Sequence, residues 1–185
     1  MRKLFFLLLL AATVSSCMTT KVTRDVVSDD GIRSIVGSSR QFPVGQERYV
    51  FTLAMQENVE LPQKKRRWLL QVRSRQYIPE EAGLTLVLCN STTCYLPNLS
   101  LHVAEKSQIG GERFMENPYR TTGDRNRYVA VYCFDDEIME RIAKFGIKNV
   151  RVNDNPGFTD NNYFMNGFSE FVRLSSEKII KEALF

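Results

Sequence analysis

The sequence predicts an α+β fold, with a mainly antiparallel, curved β-sheet covered by a C-terminal β-α-β-α segment. In the first two-thirds of the 185 residues, apolar and polar side chains alternate with a period of two. This alternation is typical of antiparallel strands that pack on one face. In the last third the apolar residues recur with the spacing of a helix. Strands followed by late helices favour the α+β class.

The predicted strands begin with a hairpin. Val22–Val27 and residues 32–38 flank Asp29-Asp30-Gly31, a composition that favours a tight turn. Residues 68–77 are predicted to point Trp68, Leu70 and Val72 inward and Gln71, Arg73 and Arg75 towards solvent. The other predicted strands are 49–55, 84–89, 94–103, 127–134 and 147–152.

Two helices are predicted near the C-terminus. Asp135 suits an N-cap, the acidic residues Asp136 and Glu137 suit a first turn, and Gly146 suits the end of that helix. A final helix is predicted from about residue 169 to 183. It places Phe171, Val172, Ile179 and Ala183 on one apolar stripe.

The N-terminus has the pattern of an export signal. Arg2 and Lys3 precede the apolar residues 4–12, and small or polar residues lead to Cys17. The apolar run is far shorter than the ~20 residues that cross a bilayer as a helix. A charged start, a short apolar run and a small-residue region together indicate a secretory signal.

Val14-Ser15-Ser16-Cys17 resembles the lipobox of bacterial lipoproteins, with valine in place of the usual leucine. The resemblance implies that Cys17 carries lipid. Met18 follows the cysteine instead of the aspartate that signals inner-membrane retention, which implies a periplasm-facing anchor in the outer membrane. An ordinary secretory signal cut near Ser16 is the alternative. The expected organisation is a signal peptide at 1–16, a tether or first strand at 17–27, and one domain at 28–185.

Three further cysteines bear on an exported protein. Cys89 and Cys94 flank a four-residue segment that suits a hairpin loop, so they are predicted to form a disulfide. Cys133 lies in an apolar strand and is predicted to be a buried structural thiol. His102 is the single histidine, so a zinc site is not expected.

His102 itself alternates with polar residues and is interpreted as a surface residue of a strand rather than a catalytic base. Residues 64–67, with Arg73 and Arg75, are the most concentrated positive feature. They indicate either an anionic lipid or glycan surface, or a solvated loop and a charged edge strand. Residues 153–162 are rich in Asn and Asp, which favours turns over a calcium site.

A long irregular connection at residues 107–126 is the first candidate for recognition. Arg113, Phe114, Tyr119 and Arg120 supply the arginine and aromatic side chains that binding surfaces favour. The alternative is a loop without a binding role.

Two function hypotheses follow. The first is a non-enzymatic envelope lipoprotein that attaches to the membrane through Cys17 and binds an envelope protein or glycan. The second is a cell-wall or glycan hydrolase that uses carboxylates such as Glu112, Glu116 or Asp124. No cofactor or metal is expected. A nucleic-acid partner is not expected either, because the charge is nearly balanced once Arg2 and Lys3 are removed.

Overall fold

A computed structural model describes residues 20–44, 47–61, 66–74, 78–79, 82–99, 128–153, 158–161 and 165–185. These residues form ten strands and two helices. The strands are β1 Val22–Val27, β2 Ile32–Gly37, β3 Arg40–Val44, β4 Glu47–Asn58, β5 Arg66–Ser74, β6 Leu84–Leu88, β7 Thr93–Leu96, β8 Tyr128–Phe134, β9 Ile147–Asn153 and β10 Phe158–Asn161. The helices are α1 Asp136–Phe145 and α2 Met165–Ala183.

The described strands divide between two sheets. The larger sheet has the order β1-β2-β4-β5-β8, with β3 paired to the first half of β4, and the smaller has the order β10-β9-β6-β7. Every pairing between these strands is antiparallel. The predicted α+β class is therefore confirmed, although the strands form two sheets where one curved sheet was expected.

One apolar core joins the two sheets and both helices. In β4 the alternate residues Tyr49, Phe51, Leu53 and Met55 enter this core. The residues between them, Thr52, Ala54 and Gln56, are buried on the opposite face. From α2, Phe168 meets Phe51 with 4.8 Å between ring centroids in an edge-on arrangement. Further core residues come from β2, β3, from each strand from β5 to β9, from α1, and from the apolar stripe of α2.

Helix α1 begins and ends where its sequence predicts. The Asp135 carboxylate accepts a hydrogen bond of 3.0 Å from the backbone N–H of Ile138. Gly146 adopts φ 71° and donates its backbone N–H to the carbonyl of Ile142. Because glycine enters this region of φ without the clash of a Cβ, the helix stops at this residue.

The β5 prediction was only partly right. Trp68, Leu70 and Val72 enter the core, but Gln71 and Arg73 on the opposite face are buried too. The physical reason is that β5 lies between β4 and β8 in the middle of the sheet rather than at its edge. This second face of the larger sheet carries a separate apolar cluster of Ala54, Leu69 and Val131, from β4, β5 and β8.

Two strands were not expected. β3 contains a proline, Pro43, and among the described strands it pairs only with β4. This placement suits a residue without a backbone donor. β10 occupies residues 158–161, which were interpreted as part of a turn. Four residues rich in polar side chains give too short an alternation to be read as a strand, and their pairing with β9 stabilises it.

Candidate functional site

A cleft of about 620 Å³ lies at one end of the larger sheet. Strands β2 and β5 begin there, and β4 and β8 end there, because neighbouring strands run antiparallel. The four strand ends and the turns beside them therefore bring together residues that are distant in sequence. The lining residues are Asp30, Ile32, Gln56, Glu57, Asn58, Arg66, Arg67, Cys133, Phe134 and Asp135.

The charged floor of the cleft centres on Glu57, which is 1% exposed. The strand register places Arg33 on one side of Glu57 and Arg66 on the other. The Arg33 Nη1 atom lies 3.8 Å from Glu57 Oε1, and the Arg66 Nε atom lies 3.7 Å from Glu57 Oε2. A buried carboxylate requires such counter-charges, so Glu57 is held as an ion-pair partner.

Arg33 extends this network to the edge strand and to helix α2. It donates two hydrogen bonds to the Asp25 carboxylate, at 3.0 and 2.6 Å, and this interaction raises the pKa of the guanidinium above its usual value. Its other N–H groups donate to the carbonyl oxygens of Glu182 at 3.2 Å and Ala183 at 3.3 Å. A cation at the carbonyl end of a helix interacts favourably with the helix dipole.

The wall of the cleft on the second face of the sheet is polar. Gln56 donates a hydrogen bond of 3.1 Å to the Ser34 hydroxyl, and Arg67 lies opposite Gln56 in the register. Cys133 is half-buried beside them. Burial raises the pKa of the Cys133 thiol, an effect that the charge of Arg67 partly offsets. The thiol therefore stays protonated near neutral pH and is a poor nucleophile.

The cleft combines paired charges, a protonated thiol and polar side chains that can form hydrogen bonds. The buried acid Glu57 is engaged by two arginines, and the thiol is protonated. In the described part of the chain, no three His, Cys, Asp or Glu side chains converge to hold a metal ion. Arg67 and Asn58 remain at the rim as hydrogen-bonding groups for a polar ligand.

The predicted cysteine pair is placed differently from the expectation. The hairpin of β6 and β7 forms, but its register sets Cys94 opposite Leu86, so the prediction that Cys89 and Cys94 face each other was wrong. Both are free thiols, with Cys89 exposed and Cys94 buried. The Leu88 N–H donates to the carbonyl of Thr92, so the turn encloses three residues instead of four, and the partner of Cys94 lies three residues before Cys89.

The basic run is described only in part. Arg66 forms an ion pair with Glu57. Arg73 is buried and donates a hydrogen bond of 3.3 Å to the Ser39 hydroxyl, so Arg73 does not belong to a solvated face. Several predicted residues lie outside the described part of the chain. They are Cys17 and the lipobox, Lys64, Lys65, Arg75, His102, Glu112, Arg113, Phe114, Glu116, Tyr119, Arg120, Asp124, and residues 154–157 and 162 of the 153–162 segment.

Sequence reasoning missed the network of Arg33, Glu57 and Arg66. The three residues come from three strands, and only the register reveals that they form one row. The only available signal was a glutamate and two arginines close to predicted strand ends.

No known protein family, curated protein sequence or solved structure matches this chain significantly. Neither of the described helices is long and apolar enough to cross a membrane.

Proposed function

We propose that this chain is a periplasm-facing lipoprotein of the outer membrane, anchored by lipid on Cys17, and that its domain is a non-enzymatic binding or structural module. The observation that carries the proposal is Val14-Ser15-Ser16-Cys17 directly after the apolar residues 4–12. Two or more acyl chains on one cysteine give stable membrane attachment, at about 0.8 kcal/mol per buried CH₂ group.

The start of the described domain supports this arrangement. β1 begins at Val22, a few residues after Cys17. A lipid on Cys17 would therefore hold the folded domain close to the membrane surface, and the domain would act there rather than at the end of a long tether.

The cleft supports binding over catalysis. Its deepest acid is an ion-pair partner, and its thiol is protonated because burial raises the thiol pKa. Arg67 and Asn58 at the rim offer donors to a polar ligand, such as an extended peptide segment or the hydroxyl groups of a glycan. We assign the cleft as the partner site.

The second candidate is a hydrolase that acts on cell-wall or glycan material. Its proposed carboxylates, Glu112, Glu116 and Asp124, lie outside the described residues. Asp30 and Asp135 add two carboxylates at the cleft, which is the observation in its favour.

The anchor is tested by labelling cells with a fatty-acid analogue and comparing wild type with Cys17→Ala. We expect label in the wild-type protein and none in the variant, with the wild-type protein in the outer-membrane fraction. Equal labelling of the two proteins would refute the proposed lipid anchor on Cys17.

The partner site is tested by sedimentation with purified cell-wall glycan and by crosslinking in intact envelopes. Arg67→Ala should reduce binding about tenfold, the value of one charge-assisted hydrogen bond of about 1.4 kcal/mol. Lys148→Ala, at an exposed position outside the cleft, is the matched control and should bind as wild type. Release of soluble glycan fragments by the wild-type protein would instead establish the hydrolase.

A further inference from the structure

A second groove lies between the edge strand β1 and the end of helix α2, and its volume is about 530 Å³. We call it the β1–α2 groove. β1 is a terminal strand of the larger sheet, as far as the described strands show. The groove is lined by Thr20, Lys21, Val22, Thr23, Arg24, Asp25, Lys178, Lys181, Glu182 and Phe185.

The groove is basic. It contains four cationic residues, Lys21, Arg24, Lys178 and Lys181, and two carboxylate residues. One of those carboxylates, Asp25, is already neutralised by Arg33 at 2.6 Å. Among the ion pairs between described residues, none engages Lys21, Lys178 or Lys181. Positive charge is therefore in excess in the groove.

Apolar side chains project at the same place. Leu184 is 74% exposed and Phe185 is 92% exposed, the two largest values among the exposed large hydrophobic residues. Apolar side chains beside lysines are the combination that binds the interface of an anionic bilayer. The lysines meet the headgroups, and the apolar groups enter the boundary of the acyl chains.

The position of the groove in the chain selects its partner. Thr20, the first described residue, lines the groove and is three residues after Cys17. Three residues span at most about 11 Å. If Cys17 carries lipid, the groove is therefore the part of the described domain that the chain holds nearest to the membrane.

We propose that the β1–α2 groove is a membrane-docking surface that rests on anionic phospholipid headgroups, with Leu184 and Phe185 entering the interface. This inference rests on the proposed lipid anchor at Cys17. It adds an orientation: the β1 edge of the larger sheet faces the bilayer, which makes the anchored domain lie against the membrane.

The test uses the lipidated protein reconstituted into vesicles. Phe185→Trp places a reporter in the groove, while Trp68 is fully buried and provides a constant background. Vesicles carry bromine on the acyl chains, which quenches tryptophan on contact, and contain either about 30% phosphatidylglycerol or phosphatidylcholine alone. We expect the fluorescence of the introduced tryptophan to fall at least twofold in the anionic vesicles only, and to recover at about 1 M salt, where the screening length is about 3 Å.

Lys178→Glu with Lys181→Glu should abolish the quenching, since both lysines are exposed and the reversal leaves the core intact. Lys144→Glu with Lys148→Glu is the matched control, because these exposed lysines lie outside the groove. In this control the fluorescence of the introduced tryptophan should be quenched as much as in Phe185→Trp alone. Circular dichroism verifies that both double variants are folded.

The outcomes separate the two proposals. An acylated, vesicle-bound protein whose introduced tryptophan is not quenched overturns the docking surface and leaves the anchor intact. Equal quenching in both types of vesicle, or in the double reversal, overturns recognition of anionic headgroups. A protein without acyl chains on Cys17 overturns the anchor and the docking surface together.

Discussion

The hydrogen bond between Trp68 and Asp136 connects the larger sheet to helix α1. The Trp68 indole Nε1–H donates to Asp136 Oδ1 at 2.7 Å, and the Trp68 side chain is fully buried. In Asp136→Ala the buried N–H loses an ionised acceptor, at about 1.5–3 kcal/mol. The helix also loses a first-turn carboxylate, at about 0.3–1 kcal/mol. Water entering the space left by the carboxylate reduces the first value, so we expect the free energy of unfolding to fall by about 2 kcal/mol.

Urea unfolding followed by circular dichroism measures this loss, and the fluorescence of Trp68, the single tryptophan, reports the same site. Glu137→Ala is the matched control. Glu137 is also an acid of the first turn but is exposed, so it should cost only about 0.3–1 kcal/mol. Asp136→Asn keeps an acceptor oxygen and should restore at least half of the difference. If the free energies of unfolding of Asp136→Ala and Glu137→Ala agree within about 0.5 kcal/mol, the hydrogen bond between Trp68 and Asp136 does not stabilise the fold.

Three further predictions test the fold. Phe168→Ala should lower the free energy of unfolding by about 3–5 kcal/mol, because the ring is 1% exposed and packs on Phe51, and a loss below about 1 kcal/mol in urea unfolding would contradict this packing. Gly31→Ala should destabilise the fold by at least about 1 kcal/mol, since φ is +74° and a Cβ would lie 2.7 Å from Glu60. Gly167→Ala in α2 should instead stabilise it by up to about 1 kcal/mol, because the added Cβ meets nothing nearer than 3.7 Å. Thermal melts in which both variants shift in the same direction would contradict this contrast. Iodoacetamide mapping should modify Cys89 first, because Cys89 is exposed and Cys94 is buried, and a Cys89–Cys94 link in non-reducing peptide maps would contradict the register. The free energy of unfolding should decline as pH rises above about 8.5. Burial raises the folded-state pKa of the Cys133 and Cys94 thiols, so the unfolded state binds fewer protons in that range than the folded state does.

The sequence predicted those features that short-range patterns determine. Asp135 and Gly146 delimit α1 because capping depends on a few adjacent residues. The period of two indicates which β4 residues share one face, and those residues enter the main core, because period two is a property of any strand.

Features that depend on register were not predictable in the same way. The row of Arg33, Glu57 and Arg66 exists only because three strands align at these positions. The misplacement of Cys94 has the same cause, since any shift in the register of a hairpin changes every cross-strand partner. The burial of Arg73 required knowing that β5 is internal to the sheet, which alternation within one strand cannot reveal.

The proposed function depends above all on the lipid that Cys17 is proposed to carry and that would hold this domain at the membrane. Mass spectrometry of the protein purified from the outer-membrane fraction tests it most directly. We expect an N-terminal peptide that begins at Cys17 and carries the mass of two or three acyl chains, with residues 1–16 absent. An N-terminal peptide that begins at Cys17 or Met18 without acyl groups, or one that retains residues 1–16, would contradict it.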